Sequence, residues 1–326
     1  MTALRAKLIA NPVAGEDEAS AHLETINRAL REDGGTLDIA LTAGEGDAIG
    51  LAADAARQGY ERLYVAGGDG TLNEVLNGVL RVPGAFARIA FGIIPLGTGN
   101  DFASTLGMSE DIEETIALLR SGETIDVDLG YLDDRCFVNV SAGGFIAEVS
   151  DAVDPALKTV AGKLAYVLGG AKVLWTHDPI DVRVQGVEGF QPIEADDVPD
   201  SAAAVPEGCA LHAFAVCNAP LVGGGRLIAP HASITDGHLD VCLIEAMSRV
   251  EFVGLLARVS SGEHVEDGRV RYFRARQLEL AFDRPVKVNT DGQVLERSVC
   301  RYRVAPGAAR FLCSPARREE LSGAGA

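Results

Sequence analysis

Gly67-Gly68-Asp69-Gly70-Thr71 gathers three glycines, a carboxylate and a hydroxyl into five consecutive positions. The apolar run Leu63–Ala66 precedes them, and Leu72, Val75, Leu76 and Val79 follow at helical spacing. A strand that opens through glycines into a helix start aims several unpaired backbone N–H groups at one point, which favours an anion. Glycine reaches φ > 0 and lets a phosphate come close to the main chain. Asp69 supplies a carboxylate where a phosphate-bound cation needs one, and Thr71 a hydroxyl. A plain strand–turn–helix connection uses the same residue types for backbone reasons alone.

A second stretch, Ile93-Ile94-Pro95-Leu96-Gly97-Thr98-Gly99-Asn100-Asp101-Phe102-Ala103, repeats the order of apolar strand, glycine turn, polar residues and helix. Neither stretch carries the Lys-Ser/Thr pair of a P-loop or the spaced glycines and downstream acid of a dinucleotide fingerprint. Together they resemble the GGDGTxNE and PxGTxND signatures of the diacylglycerol kinase catalytic-domain family, soluble lipid kinases that include diacylglycerol and sphingosine kinases. The resemblance spans about residues 4 to 313. It implies ATP and Mg2+, with Asp69 on the nucleotide side of the metal. The implied nucleotide contacts are Asn11, Thr42, Gly67, Gly68, Asp69, Gly70, Thr71, Asn73, Glu74, Gly97, Thr98, Asn100 and Asp101. Glu74 also reads as a dipole-compensating acid in the first helical turn.

The elements that must hold these residues alternate. Arg5–Ala10 and Leu37–Thr42 read as strands, the first ending in Asn11-Pro12-Val13-Ala14-Gly15. Helices are expected over about Glu18–Asp33, Asp47–Gln58 and Ile112–Arg120. Strand–helix alternation predicts a parallel α/β domain over 1–126 with ligand loops at the strand carboxyl ends. From Thr124 onward period-two runs dominate: Ile125–Tyr131, Arg135–Val140, Ile180–Val187, Ala210–Cys217, His238–Ile244, Leu278–Ala281, Val286–Asn289 and Val299–Val304. They predict an antiparallel β-sandwich domain over 127–302, with about 303–316 returning to the first domain. Lys158–Trp175 reads as the one substantial helix of this half, its apolar stripe packed on a sheet. Glu188–Gly208 reads as a long solvated loop, and the tail after about Ala316 as disordered.

Composition narrows the function classes. The chain has 326 residues, 47% of them apolar, and a formal net charge of −18. That charge opposes electrostatic binding to nucleic acid or to an anionic membrane surface, and no apolar run approaches a membrane span. A cytoplasmic protein with peripheral membrane contact is the expectation, with a homodimer left open. The six cysteines lack metal or disulfide spacing and read as reduced thiols.

Family marks continue in the second half: Asn218, Gly223-Gly224-Gly225, Pro230, Ala232 and Asp236-Gly237-His238-Leu239-Asp240-Val241. The resemblance implies a structural Mg2+ there, on Asp236 and the backbone oxygens of Ser233 and His238. Two positions depart from the family pattern. Ile146 stands where the family has aspartate, and Asp291-Gly292-Gln293 stands where it has Asp-Gly-Glu, whose glutamate is taken as the catalytic base. Glutamine takes up no proton at neutral pH. Glu148, Asp151, Asp291 or Glu296 could substitute, or a loose transition state could need little base help. The implied reaction is γ-phosphate transfer to a diacylglycerol-like alcohol held in the cleft between domains. The rivals are a catalytically silent nucleotide-binding regulator and an NAD-kinase-like enzyme, against which the PLGTGNDFA segment argues.

Overall fold

The computed structural model describes residues 5–12, 19–31, 36–152, 173–193 and 207–323. The chain forms two compact units. One comprises Met1–Leu129, Ile234–Asp236 and Pro306–Ala326, and the other Gly130–Ser233 and Gly237–Ala305.

The first unit is α/β. Its parallel strands β1 (Arg5–Ala10), β2 (Thr36–Leu41), β3 (Arg62–Gly67) and β4 (Ala90–Pro95) lie in the order β2-β1-β3-β4. β3 and β4 are buried along nearly their whole length, so both read as continuous apolar runs. Helices α1 (Ala19–Arg31), α2 (Asp47–Arg57), α3 (Asp69–Leu80), α4 (Asp101–Thr105) and α5 (Ile112–Ser121) connect and follow them. α5 has a built start: Asp111 accepts from the N–H groups of Glu113 and Glu114. The last strand, β16 (Gln293–Leu312), ends beside β4, where Arg310 and Phe311 pair in parallel with Ala90 and Phe91.

The tail departs from the expected disorder: Pro315–Gly323 is a helix. Pro315 suits a first helical position, and Ser314 Oγ accepts from the Arg317 N–H at 3.1 Å. Arg317 Nε donates to Thr105 O at 2.7 Å, and Leu321 is buried. Short polar sequence concealed a helix whose stability comes from docking.

The second unit is β-rich. It contains β6 (Arg135–Phe137), β7 (Val140–Gly144), β8 (Ile180–Glu188), β9 (Gln191–Pro192), β10 (Gly208–Cys217), β11 (Leu221–Val222), β12 (Arg226–Leu227), β13 (Leu239–Glu245), β14 (Val270–Ala275) and β15 (Gln277–Thr290). β5 (Thr124–Leu132) leads in from the first unit. All the registered pairs of this unit are antiparallel. β10 is central and divides the interior: Phe214 and Val216 face one core and Ala213, Ala215 and Cys217 the other by alternation, and an irregularity between Leu211 and Ala213 puts Leu211 with Phe214. The second core is covered by Phe145 of α6 (Phe145–Ala152) and by Phe252 and Leu255 of the helix Arg249–Arg258.

That last helix overturns the expectation of a single substantial helix in this half. Of the expected Lys158–Trp175 helix, 158–172 lies outside the described residues; most of the Glu188–Gly208 loop and Val13-Ala14-Gly15 do so too. The two runs expected over Leu278–Ala281 and Val286–Asn289 are one strand, β15, whose pairing with β16 shifts register between Ala281 and Val286. Among the described residues, no helix is long and apolar enough to cross a membrane.

Candidate functional site

The first-unit residues singled out by sequence come together at the carboxyl ends of the parallel strands, where open α/β sheets present their ligand loops. Asn11 follows β1 and its N–H extends the ladder to Ala66 O at 2.9 Å; Thr42 follows β2 and its N–H bonds Ala10 O at 2.9 Å. Gly67–Thr71 leaves β3, and Gly97–Asp101 follows β4.

The two glycine loops cross in backbone contact. A Cβ placed on Gly97 would lie 2.5 Å from the Gly68 Cα, and one on Gly68 would lie 3.2 Å from the Gly97 Cα. At Gly97 that approach requires glycine, while at Gly68 a side chain would make only a tight contact. Asp69 fastens the crossing: its Oδ2 accepts from the Asp101 N–H and its Oδ1 from the Phe102 N–H, each at 3.1 Å. Its carboxylate therefore sits at the N-terminal end of α4. Asn100, in the left-handed region at φ 53°, pins its own loop by accepting from the Gly97 N–H at 3.0 Å and donating to Gly97 O at 2.7 Å. The Gly97 N–H thus serves the loop itself.

The α3 start remains open. Its first helical hydrogen bond is donated by Leu72 N to Gly68 O at 3.1 Å. The N–H groups of Gly70 and Thr71 precede it and have no intrahelical acceptor. No atom would lie within 4 Å of a Cβ on Gly70. Open space beside unpaired N–H groups fits a phosphate. The crevice between the loops, lined by Gly67, Gly68, Asp69, Leu72, Ile93, Asn100 and Ala103, is closed down until it has no room for a water molecule.

Glu74 is a framework residue here. It is buried, and its two oxygens accept from the N–H groups of Gly46 at 2.8 Å and Ala48 at 3.2 Å. It caps α2 from the flank of α3. Buried Asn73 accepts from Asn77 within the same helix.

In the second unit, Asp291 sits at the β15–β16 turn in the left-handed region at φ 46°. Its carboxylate accepts from the N–H groups of Val138 at 2.7 Å, Val140 at 2.9 Å and Asn139 at 3.2 Å. Three main-chain donors hold it as a brace of the β6–β7 segment. Gln293 accepts at Oε1 from Arg135 Nη2. A guanidinium only donates, so this contact turns the Gln293 amide nitrogen away from Arg135. Of the other carboxylates considered, Glu148 Oε2 pairs with His177 Nδ1 at 2.9 Å and Asp151 with Lys287 at 2.5 Å. Sequence reading missed Arg135 because its relation to Gln293 spans 158 residues.

Ser233, Asp236 and His238 lie on the turn that enters β13, with Gly237 at φ 72°. The described residues hold no cluster of three or more His, Cys, Asp or Glu side chains suited to a metal. A cation at this turn would rest on one carboxylate and main-chain oxygens. A cavity of about 700 Å3 opens beside Asp133, Gln185, Glu279, Arg301 and Arg303 and shares no residue with either glycine loop.

Residues 5–132 match the diacylglycerol kinase catalytic domain, and residues 139–313 match a YegS C-terminal domain described as NAD kinase beta sandwich-like. A diacylglycerol kinase of Staphylococcus saprophyticus is 32% identical over 289 residues, covering 89% of this chain and 88% of that one. A diacylglycerol kinase of Bacillus subtilis is 30% identical over 292 residues, covering 89% of each. A crystal structure from Bacillus anthracis shares the fold, with a TM-score of 0.77, 24% identity and 96% coverage of both chains. The crossed glycine loops, the α/β unit that carries them and the β-rich unit that follows agree with these matches: the chain belongs to the diacylglycerol kinase catalytic-domain family.

Proposed function

We propose that this protein transfers the γ-phosphate of ATP, with Mg2+, to the hydroxyl of a diacylglycerol-like lipid. The observation that carries the proposal is the glycine crossing at Gly68 and Gly97, locked by Asp69 beside an α3 start with unpaired N–H groups. Phosphoryl transfer is chiefly a matter of positioning and charge stabilisation. Gly70 and Thr71 N–H groups would take the phosphates, and Thr98 would close over them. Asp69 is the carboxylate available to the nucleotide-bound Mg2+, which offsets charge on the phosphates when bound. Asn11 and Thr42, at the neighbouring strand ends, would border the nucleotide.

The acceptor half works without a carboxylate at 293. Asp291 is committed to three backbone N–H groups and makes a poor base. In a loose transition state the acceptor hydroxyl becomes acidic only as transfer proceeds, so its proton can leave late, to solvent. Gln293, held by Arg135, would orient the hydroxyl through its amide group. Mg2+ on Asp236 and the Ser233 and His238 carbonyls would be structural.

The test is transfer of γ-labelled phosphate from ATP-Mg2+ to a panel of solubilised lipid alcohols and NAD. Label in one lipid alcohol supports the proposal. Label in NAD contradicts it, and ATP binding with no labelled product makes the protein a silent nucleotide binder.

A further inference from the structure

The helix Arg249–Arg258 is amphipathic in an unusual sense, because both of its faces are uncharged. Phe252 and Leu255 point into the second core. The opposite face is Val250, Val253, Gly254 and Ala257, all exposed, where a solvated helix normally carries charge. Val250 is 84% exposed and Val253 47%. Trp175 is 74% exposed and is tied to the start of this helix: Arg249 donates from Nε to Leu174 O at 3.1 Å and from Nη2 to Trp175 O at 3.3 Å. Arg249 makes no ion pair among the described residues. Arg284 donates to Asp178 O at 3.2 Å and Pro179 O at 3.0 Å beside the segment that follows Trp175, and its charge is offset by Asp283 at 3.7 Å. The acid on the helix flank, Glu251, is occupied by Arg269 at 2.9 Å and by the Ser248 capping box.

We propose that Trp175, Val250 and Val253 form the surface by which this protein docks on a lipid bilayer, with Arg249 facing the headgroup phosphates. The proposal rests on the lipid-kinase reading for its purpose and on exposure and chemistry for its place. Tryptophan settles at the membrane–water interface, and a helix face of small and branched apolar residues inserts shallowly there. Arg249 beside it adds local attraction to anionic headgroups on a chain otherwise strongly acidic. A protein partner fits less well. A handful of apolar residues falls far short of the roughly 20–30 residues a side of a stable interface. The capping box fixes the helix in advance, so docking orders nothing new.

The experiment is flotation of the full-length protein with vesicles of phosphatidylcholine containing a minority of phosphatidylglycerol, comparing wild type, Trp175→Ala and Val250→Ser/Val253→Ser. Sedimentation velocity is run on each, and phosphate transfer is assayed with a monomeric short-chain lipid alcohol. Vesicle binding is expected to fall about tenfold or more in each variant, about 1.4 kcal/mol, with transfer to the monomeric alcohol unchanged. Arg249→Gln is expected to weaken binding to these vesicles and not to pure phosphatidylcholine. Variants that bind vesicles as wild type does overturn the proposal. So does a wild type that binds none, and so does loss of a dimer in the variants with vesicle binding intact. Patch-dependent vesicle binding with no transfer to any alcohol upholds the docking surface and removes the lipid-kinase reading.

Discussion

At the residue scale the proposed acceptor half turns on Gln293 and its partner Arg135. A glutamate at 293 alone would face the Arg135 guanidinium, which favours the ionised carboxylate and lowers its capacity to accept a proton. Gln293→Glu is therefore expected to leave kcat within about threefold of wild type and add no inflection near neutral pH. The Gln293→Glu/Arg135→Gln double variant frees the carboxylate and is expected to add one; pH–rate profiles of both variants check this. Sequence identified the departure at 293 and could not identify its consequence, because Arg135 reaches it through tertiary structure. Glu74 is a similar case. A first-turn acid announces a dipole or a ligand, and only the fold reveals that it caps a different helix, α2, through Gly46 and Ala48.

At the scale of elements, the glycine crossing is a steric requirement. Gly97→Ala forces a Cβ against the Gly68 main chain, and neither backbone has a flexible side chain to move aside. The substitution is expected to destabilise the first unit by about 2 kcal/mol and to raise the KM for ATP, read by thermal unfolding and steady-state kinetics. The parallel strands were legible because burial on both faces leaves plain apolar runs. β7 was not fully legible, since Val140-Ser141-Ala142-Gly143-Gly144 has neither alternation nor bulk. The helix Arg249–Arg258 hid for the opposite reason. Its outward valines blur the helical period, and the usable signal was the Ser248/Glu251 capping box. β14 falls in a stretch dense with arginine, where cross-strand pairing with β13 decides the structure.

At the scale of the whole molecule, net charge argues against nucleic-acid binding, and the scattered cysteines read as reduced thiols. The six cysteines are free, and burial pushes the Cys136, Cys242 and Cys300 thiols up to about 12. Composition gave no warning of acid sensitivity. His264 is fully buried, its Nε2 3.1 Å from Ile228 O, and burial lowers its pKa from 6.5 to about 4. His212 is shifted the same way, first by burial. A depressed histidine means that the unfolded chain binds more protons below pH 6.5, so stability falls as pH drops. Between about pH 6.5 and 4, His264 is expected to withdraw on the order of 3 kcal/mol from the second unit. Denaturant unfolding at several pH values checks this, and His264→Gln should flatten the acid limb.

The measurement that bears most directly on the account is kcat/KM for ATP in Asp69→Ala, with folding verified by near-ultraviolet circular dichroism. Loss of the carboxylate releases the Asp101 and Phe102 N–H groups and removes the acid nearest the proposed phosphate site. A fall of about a hundredfold or more, with the fold intact, is the expected result. A folded Asp69→Ala protein that transfers phosphate within about twofold of wild type would contradict the claim that the crossed glycine loops are the nucleotide platform.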